Sequence, residues 1–327
     1  MIRPAPKTNF TIPVDGADIA ASLYQDVALP RGTEVHVVIA SATGVRRSYY
    51  DGFARHLAEN GIATVTFDYR GIGDSRRAGI RDEPARMTDW AEKDLDGVIR
   101  WARARSPRGK IVLVGHSFGG QAAGLAPSNH ELAGILGVGA QLGDYRLWPA
   151  PRRYGYALLW HSVVPAATRV LGYLPGSFGI GQDLPGGVAR QWARWCTQPG
   201  YFFHSGRGER ERSFARFHGH VLAYGFDDDT YAPPRAVSAL LSNFTGAQRQ
   251  RVHRTRREMG RAVGHFGFFR RAFAKTLWAE ATRWIQGFGE GDGPGPSPAD
   301  AFSCDAWVPE QSWFYDRFSR SNEERSA

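Results

Sequence analysis

A short apolar run that ends in a glycine-flanked serine constrains the fold of this chain most strongly. Residues Ile111–Val114 are apolar at every position, as in a central parallel strand that helices cover on both faces. The next five residues, 115–119, read Gly-His-Ser-Phe-Gly, and a helix-forming run follows at once. A strand, a sharp turn and a helix in this order lift a serine hydroxyl above the sheet. Side chains in place of the two glycines would collide across such a turn.

The first 140 residues alternate short apolar runs with longer amphipathic ones, the pattern of βαβ units. The predicted strands are Ala20–Gln25, Val35–Ala40, Ala63–Phe67, Ile111–Val114 and Ile135–Val138. The predicted helices are Tyr49–Asn60, Asp89–Arg105 and Gly119–Leu125. The sequence therefore predicts an α/β fold with a mostly parallel central sheet flanked by helices.

The regular alternation stops in the middle of the chain. Residues 144–217 are rich in Trp, Tyr, Phe, Pro and Gly and show weak helical periodicity. Alternation then resumes with a predicted strand, a helix and a long final helix at His220–Tyr224, Pro234–Asn243 and Phe268–Phe288. We predict a core of two parts, 1–143 and 218–288, an insertion at 144–217, and a Gly/Pro-rich linker into a disordered tail at 289–327.

Composition and charge exclude several classes of protein. The net charge is +9, but the basic residues are spread along the chain. The densest basic stretch, Arg249–Arg261, is interpreted as a solvated surface segment, with an anionic substrate or partner as the alternative. Two cysteines are too few for a disulfide framework or a zinc site, and we expect no metal and no nucleic-acid partner.

The sequence also bears on location. No apolar stretch at the N-terminus resembles a secretory signal, and no window approaches the roughly 20 apolar residues that span a bilayer. We expect a cytoplasmic protein without a membrane span that acts on a small molecule. Its oligomeric state is left open.

A serine hydroxyl needs a neighbouring base, because it is a poor nucleophile at neutral pH. Ser117 is the expected nucleophile, and ten histidines are candidates for the base. We favour His265, which lies in a Gly-His-Phe-Gly run before the last predicted helix, where a loop can carry it over the serine. His116 is interpreted as a packing residue that points away. His218 and His220 share one strand face and are interpreted as structural rather than as a metal pair.

The histidine in turn needs a buried carboxylate to orient it and to stabilise its charged form. Three consecutive aspartates, Asp227–Asp229, follow the strand that resumes after the insertion. Asp229, four residues before Pro233, is the preferred candidate, and Asp228, three residues after Gly225, is the alternative. Since one carboxylate suffices, at least two of the three are expected to have no catalytic role, and the alternative interpretation of the run is a solvated acidic turn or a cation site.

Together these features resemble the α/β-hydrolase superfamily over roughly Asn9 to Phe288. Besides the glycine-flanked serine, the run Phe67–Ser75 resembles the superfamily's loop after its fourth strand. Residues 225–233 resemble its acid turn, G-x-x-D-x-x-x-P, with one extra residue, which keeps both aspartate assignments open. A cofactor is not expected, since the Gly71-x-Gly73 pair lacks the third glycine and the following helix of a dinucleotide loop.

The resemblance also implies two backbone N–H groups that bind the oxyanion of the reaction. One is the N–H of Phe118, at the positive end of the helix after the serine. The other belongs to the loop Ser41–Val45, which stands where the superfamily usually has His-Gly. Thr43 is the expected donor, with Ala42 and Gly44 as alternatives.

The implied activity is that of a serine hydrolase which cleaves a carboxylic ester, a thioester or an amide through an acyl-enzyme. The resemblance makes the insertion a cap over the active site. Its aromatic residues either pack the cap or line an apolar acyl or aryl pocket. An acyltransferase on the same fold and a non-catalytic receptor for a small ligand are the alternatives.

Overall fold

The computed structural model describes residues 5–25, 35–179, 181–205, 208–291 and 293–295. The strands of the described chain are β1 (Lys7–Val14), β2 (Ala17–Tyr24), β3 (Val35–Ala40), β4 (Ala63–Phe67), β5 (Lys110–His116), β6 (Leu132–Val138), β7 (Tyr173–Leu174), β8 (Leu184–Pro185), β9 (His220–Phe226) and β10 (Gln248–Arg254). Eight of them form one sheet in the order β1-β2-β4-β3-β5-β6-β9-β10, and β7 pairs with β8. From β4 to β10 neighbouring strands are parallel, whereas β1 and β2 pair antiparallel with their neighbours. The predicted α/β class is confirmed.

The helices of the described chain flank this sheet or lie between β6 and β9. They are α1 (Asp51–Glu59), α2 (Met87–Asp89), α3 (Asp96–Arg105), α4 (Phe118–Leu125), α5 (Arg152–Leu158), α6 (Val164–Leu171), α7 (Gly186–Thr197), α8 (Glu209–Ala215), α9 (Pro234–Leu241), α10 (Arg256–Met259) and α11 (Ala279–Glu290). The final α-helix begins later than predicted, because short 3-10 and π-helical turns occupy residues 267–278. No helix in the described ranges is both long and apolar enough to cross a bilayer.

The central strands are apolar because helices cover both faces of the sheet. Every residue of β3 is buried. Along β5, Ile111 and Leu113 join a core with α3 residues, while Val112 and Val114 join a second core with α11 residues. Alternate side chains of one strand thus enter opposite layers, as the two-residue repeat of a strand requires.

The basic segment near the C-terminal end of the sheet is a strand that the sequence prediction missed. The predicted surface segment Arg249–Arg261 contains most of β10, whose Val252 is buried beside Tyr224 of β9. Its other positions carry polar and basic side chains instead of alternating apolar ones, so no strand pattern is visible. Because β10 forms one edge of the sheet, charged side chains there oppose pairing with another sheet.

The segment between β6 and β9 contains α5 to α8 and the β7–β8 pair. Its aromatic residues mainly form its interior, since Trp195, Tyr201 and Phe202 are at most 1% exposed. The proposed domain boundaries at 144, 218 and 289 stay predictions. The predicted disordered tail lies outside the described residues from position 296 onward.

Candidate active site

Ser117 occupies a strained turn between β5 and α4. Its backbone has φ +51° and ψ −113°, a conformation that a residue with a side chain adopts only when its surroundings enforce it. Its N–H donates to the carbonyl of Val138 at 2.9 Å, which fixes the turn to the end of β6. The serine side chain is thereby held at the carboxyl edge of the sheet.

The two glycines that flank the serine are required by close backbone contacts. A Cβ on Gly119 would lie 2.1 Å from the carbonyl oxygen of Ala40. A Cβ on Gly115 would lie 2.4 Å from the backbone nitrogen of Gly120. Both neighbours are main-chain atoms that cannot rotate away, so the turn and the end of β3 approach each other only through glycine.

His265 and Asp229 form a buried pair. The Nδ1 atom of His265 lies 2.8 Å from Oδ2 of Asp229, and the two residues are 8% and 4% exposed. The other oxygen, Oδ1, accepts the N–H groups of Tyr231 at 2.8 Å and Ala232 at 3.0 Å. The carboxylate is therefore held by its own turn, with one oxygen directed at the imidazole.

The neighbouring aspartates have different partners. Asp228 accepts the N–H of Val263 at 2.9 Å and that of Gly264 at 2.8 Å, and so holds the loop just before the histidine. Asp227 accepts the N–H of Arg256 at 2.8 Å. Only the third carboxylate of the run contacts the histidine ring, a distinction that the spacing in the sequence left open.

The histidine lies beside the residues that hold the serine turn. A Cβ on Gly139 would lie 3.1 Å from Nδ1 of His265, and Gly139 follows the residue to which the Ser117 N–H donates. In addition, Nε2 of His116 lies 3.0 Å from the carbonyl oxygen of His265. Serine and histidine thus occupy the same edge of the sheet. Within the described ranges, however, the Ser117 hydroxyl donates no hydrogen bond.

His116 makes hydrogen-bonding contacts in addition to the packing role expected from the sequence. The residue is fully buried, and its Nδ1 lies 2.8 Å from the hydroxyl of Tyr50. Burial, together with the nearby His265, lowers the pKa of the imidazole well below its usual range. Both ring nitrogens have hydrogen-bonding partners, the Tyr50 hydroxyl and the carbonyl of His265, and no local sequence pattern predicts these contacts.

The candidate oxyanion donors lie where the loop after β3 meets the start of α4. Phe118 is the first residue of α4, where the N–H has no acceptor within the helix. The N–H of Ala42 donates to the hydroxyl of Tyr50 at 2.9 Å, so this alternative is already engaged. Thr43 and Gly44 remain as candidates for the second donor.

The segment between β6 and β9 contacts both loops of the site. The N–H of Gln182 donates to the carbonyl of Gly44 at 2.8 Å. On the other side, the indole N–H of Trp148 donates to the carbonyl of Thr230, in the turn of the acidic residue, at 3.1 Å. An open groove of about 740 Å³ runs along residues 149–159 and includes Tyr156.

A mostly parallel sheet, a serine at a strained strand-to-helix turn and a histidine–carboxylate pair beside it define the α/β-hydrolase fold. The chain therefore has the α/β-hydrolase fold. A family described as "Serine aminopeptidase, S33" matches residues 33–162.

Three known proteins illustrate the similarity. An uncharacterized 31.7 kDa protein in the traX-finO intergenic region of Escherichia coli is 36% identical over 97 residues, 28% of this chain and 32% of that protein. The quorum-quenching protein AidA of Acinetobacter baumannii is 27% identical over 141 residues, 40% of this chain and 43% of that protein. The chain therefore spans less than half the length of these curated relatives. The monoglyceride lipase of Saccharomyces cerevisiae shares the fold, with a TM-score of 0.58, 15% identity, and coverage of 88% of this chain and 95% of that one.

Proposed function

We propose that this protein is a serine hydrolase that cleaves a carboxylic ester with a small, apolar acyl or aryl group. The observation that carries the proposal is the buried contact between His265 and Asp229 at the edge of the sheet where Ser117 is held in a strained turn. A histidine that donates from Nδ1 to a carboxylate leaves its Nε2 free to accept a proton. The arrangement therefore supplies a nucleophile, a base and an orienting acid.

In the proposed reaction, Oγ of Ser117 attacks the ester carbonyl while Nε2 of His265 accepts the hydroxyl proton. The N–H groups of Phe118 and Thr43 stabilise the oxyanion of the tetrahedral intermediate. The C–O bond of the ester then breaks, and the imidazolium returns its proton to the leaving alcohol. Water attacks the acyl-enzyme by the same route, which releases the carboxylic acid and restores the serine.

The segment 144–217 serves in this proposal as a cap that selects the acyl group. Support comes from its contacts with both loops of the site, through Gln182 and Trp148. The groove along residues 149–159 provides a wall beside the acidic turn, because the ring centroid of Tyr156 lies 5.2 Å from that of Trp148, whose indole N–H donates to Thr230. The quorum-quenching relative makes small signal molecules a class to include among the substrates tested.

The proposal is tested by steady-state kinetics on p-nitrophenyl esters of graded acyl length. Wild type should hydrolyse a limited range of lengths, and Ser117→Ala should abolish turnover. A matched control is Ser242→Ala, since the Ser242 hydroxyl donates to the carbonyl of Ala239. Equal rates at all lengths would contradict the selecting role of the cap.

Two further results separate the proposal from its alternatives. Faster product formation with an added alcohol or amine, with the acyl group found on the acceptor, would identify an acyltransferase. Binding without turnover over the whole ester panel, including a cyclic ester, would contradict hydrolysis and identify a ligand receptor.

A further inference from the structure

A buried chain of hydrogen bonds joins the loop after β3 to the backbone of the candidate base. The N–H of Ala42 donates to the Tyr50 hydroxyl at 2.9 Å, and that hydroxyl lies 2.8 Å from Nδ1 of His116. On the far side of the ring, Nε2 lies 3.0 Å from the carbonyl oxygen of His265. Neither side chain in the middle of this chain is exposed.

The chemistry of the groups fixes the direction of each hydrogen bond. The carbonyl oxygen of His265 can only accept, so Nε2 of His116 must carry a proton and donate to it. In the neutral ring Nδ1 then has no proton, so it accepts from the Tyr50 hydroxyl, which in turn accepts from the N–H of Ala42. Only the neutral ring can do both, and its burial, with His265 beside it, favours that form by lowering its pKa.

We propose that Tyr50 and His116 are positioning residues. They fix the loop after β3, which carries the candidate oxyanion donor, and the main chain of the base His265 relative to each other and to the nucleophile Ser117. This inference rests on the proposed hydrolase function. One end of this series of hydrogen bonds fixes the N–H of Ala42, the residue before Thr43, and the other fixes the carbonyl of His265. Ser117 directly follows His116 in the sequence, and the ring of His116 packs beside that of the base, with 5.0 Å between the ring centroids of His116 and His265.

The first test removes hydrogen bonds while preserving most of the buried volume. Tyr50→Phe deletes one hydroxyl, and His116→Leu deletes both ring contacts. Each should lower kcat on the best p-nitrophenyl ester by about 10- to 100-fold, as expected when reacting groups are displaced slightly, with KM within about twofold. His116→Gln, which keeps a side-chain donor, should recover part of the loss.

The control makes the same chemical change elsewhere in the core. Tyr24 is fully buried, and its hydroxyl donates to Asp51, so Tyr24→Phe should alter stability but leave kcat near wild type. Thermal unfolding followed by circular dichroism identifies variants that fold. Wild-type kcat in folded Tyr50→Phe and His116→Leu would overturn the proposal.

The second test requires no turnover and reads the protonation state of His116 in the wild-type protein. ¹⁵N and ¹³C NMR of histidine-labelled protein, assigned by the signal lost in His116→Gln, should show His116 neutral with its proton on Nε2 at about pH 7. The same tautomer is expected in Ser117→Ala. A charged ring or an Nδ1-protonated ring would overturn the inference. Absence of esterase activity with the expected tautomer would instead count against the proposed function.

Discussion

Replacing Asp229 by asparagine changes the tautomer of the candidate base without changing the shape of the site. In the native protein Oδ1 accepts two backbone N–H groups, and Oδ2 faces the imidazole of His265 at 2.8 Å. An asparagine oxygen placed on the backbone donors leaves its NH₂ directed at Nδ1. The ring must then accept at Nδ1 and carry its proton on Nε2, where it cannot take a proton from Ser117.

The size of the effect follows from this tautomer change. Loss of the correct tautomer in a serine triad lowers kcat by about 10⁴-fold, which corresponds to about 5.4 kcal/mol at about 1.36 kcal/mol for each factor of ten. The control is Asp228→Asn, because the carboxylate of Asp228 accepts the backbone N–H groups of Val263 and Gly264. It should cost about 1–3 kcal/mol of stability and less than about tenfold in kcat.

The assay is kcat for p-nitrophenyl ester hydrolysis at about pH 7.5, with chemical denaturation to follow the stability of each variant. Asp229→Asn should remain folded and lose its activity, whereas Asp228→Asn should be less stable and largely active. Asp229→Asn within tenfold of wild type would refute the reasoning. The same conclusion would follow if both substitutions reduced kcat equally in folded protein.

Three further predictions concern stability. Gly119→Ala should destabilise the fold by about 1–3 kcal/mol, because its Cβ would overlap main-chain atoms of Ala40. Gly155→Ala, in open space on α5, should be neutral or stabilising. Urea denaturation of both variants measures the difference, and equal stabilities would contradict the prediction. Arg47→Met leaves the buried carboxylate of Asp68 without its cation, although two backbone N–H donors remain, and should cost about 3–5 kcal/mol of stability. Arg77→Met, at an exposed ion pair with Asp18, should cost about 0–1 kcal/mol, and equal unfolding midpoints for the two variants would contradict this. The pKa of His116 is lowered in the folded state, so below about pH 6.5 the imidazole binds a proton more readily in the unfolded state than in the folded state. The stability of the fold should therefore decrease as the pH falls, by up to about 1.36 kcal/mol per pH unit. His116→Gln should lack this component of the decline, and identical slopes would contradict the assignment.

Much of the fold could be predicted because its central elements carry their own signal. Val35–Ala40 and Ala63–Phe67 are strands at the predicted bounds, since both faces are buried and their apolar runs are continuous. β10 could not be predicted in the same way. An edge strand buries few side chains, so its residues are mostly polar and basic, as on a solvent-exposed surface. Its pairing with β9 leaves no apolar pattern in the sequence.

The candidate site shows a similar division. The glycines around Ser117 could be understood from the sequence, because a sharp turn limits side chains locally. The sequence analysis preferred Asp229 but left Asp228 open, because the assignment depends on which carboxylate faces a ring 36 residues away. The contact between Tyr50 and His116 joins residues 66 apart in the sequence, and no local pattern marks it.

The nucleophile is tested most directly by reaction with a fluorophosphonate, followed by intact mass and peptide mapping. One adduct per chain, on Ser117 alone, is expected in wild type, with none in Ser117→Ala. His265→Ala should react far more slowly, because the serine has lost its base. Equal modification of Ser117→Ala, or an adduct on another residue of wild type, would contradict the account.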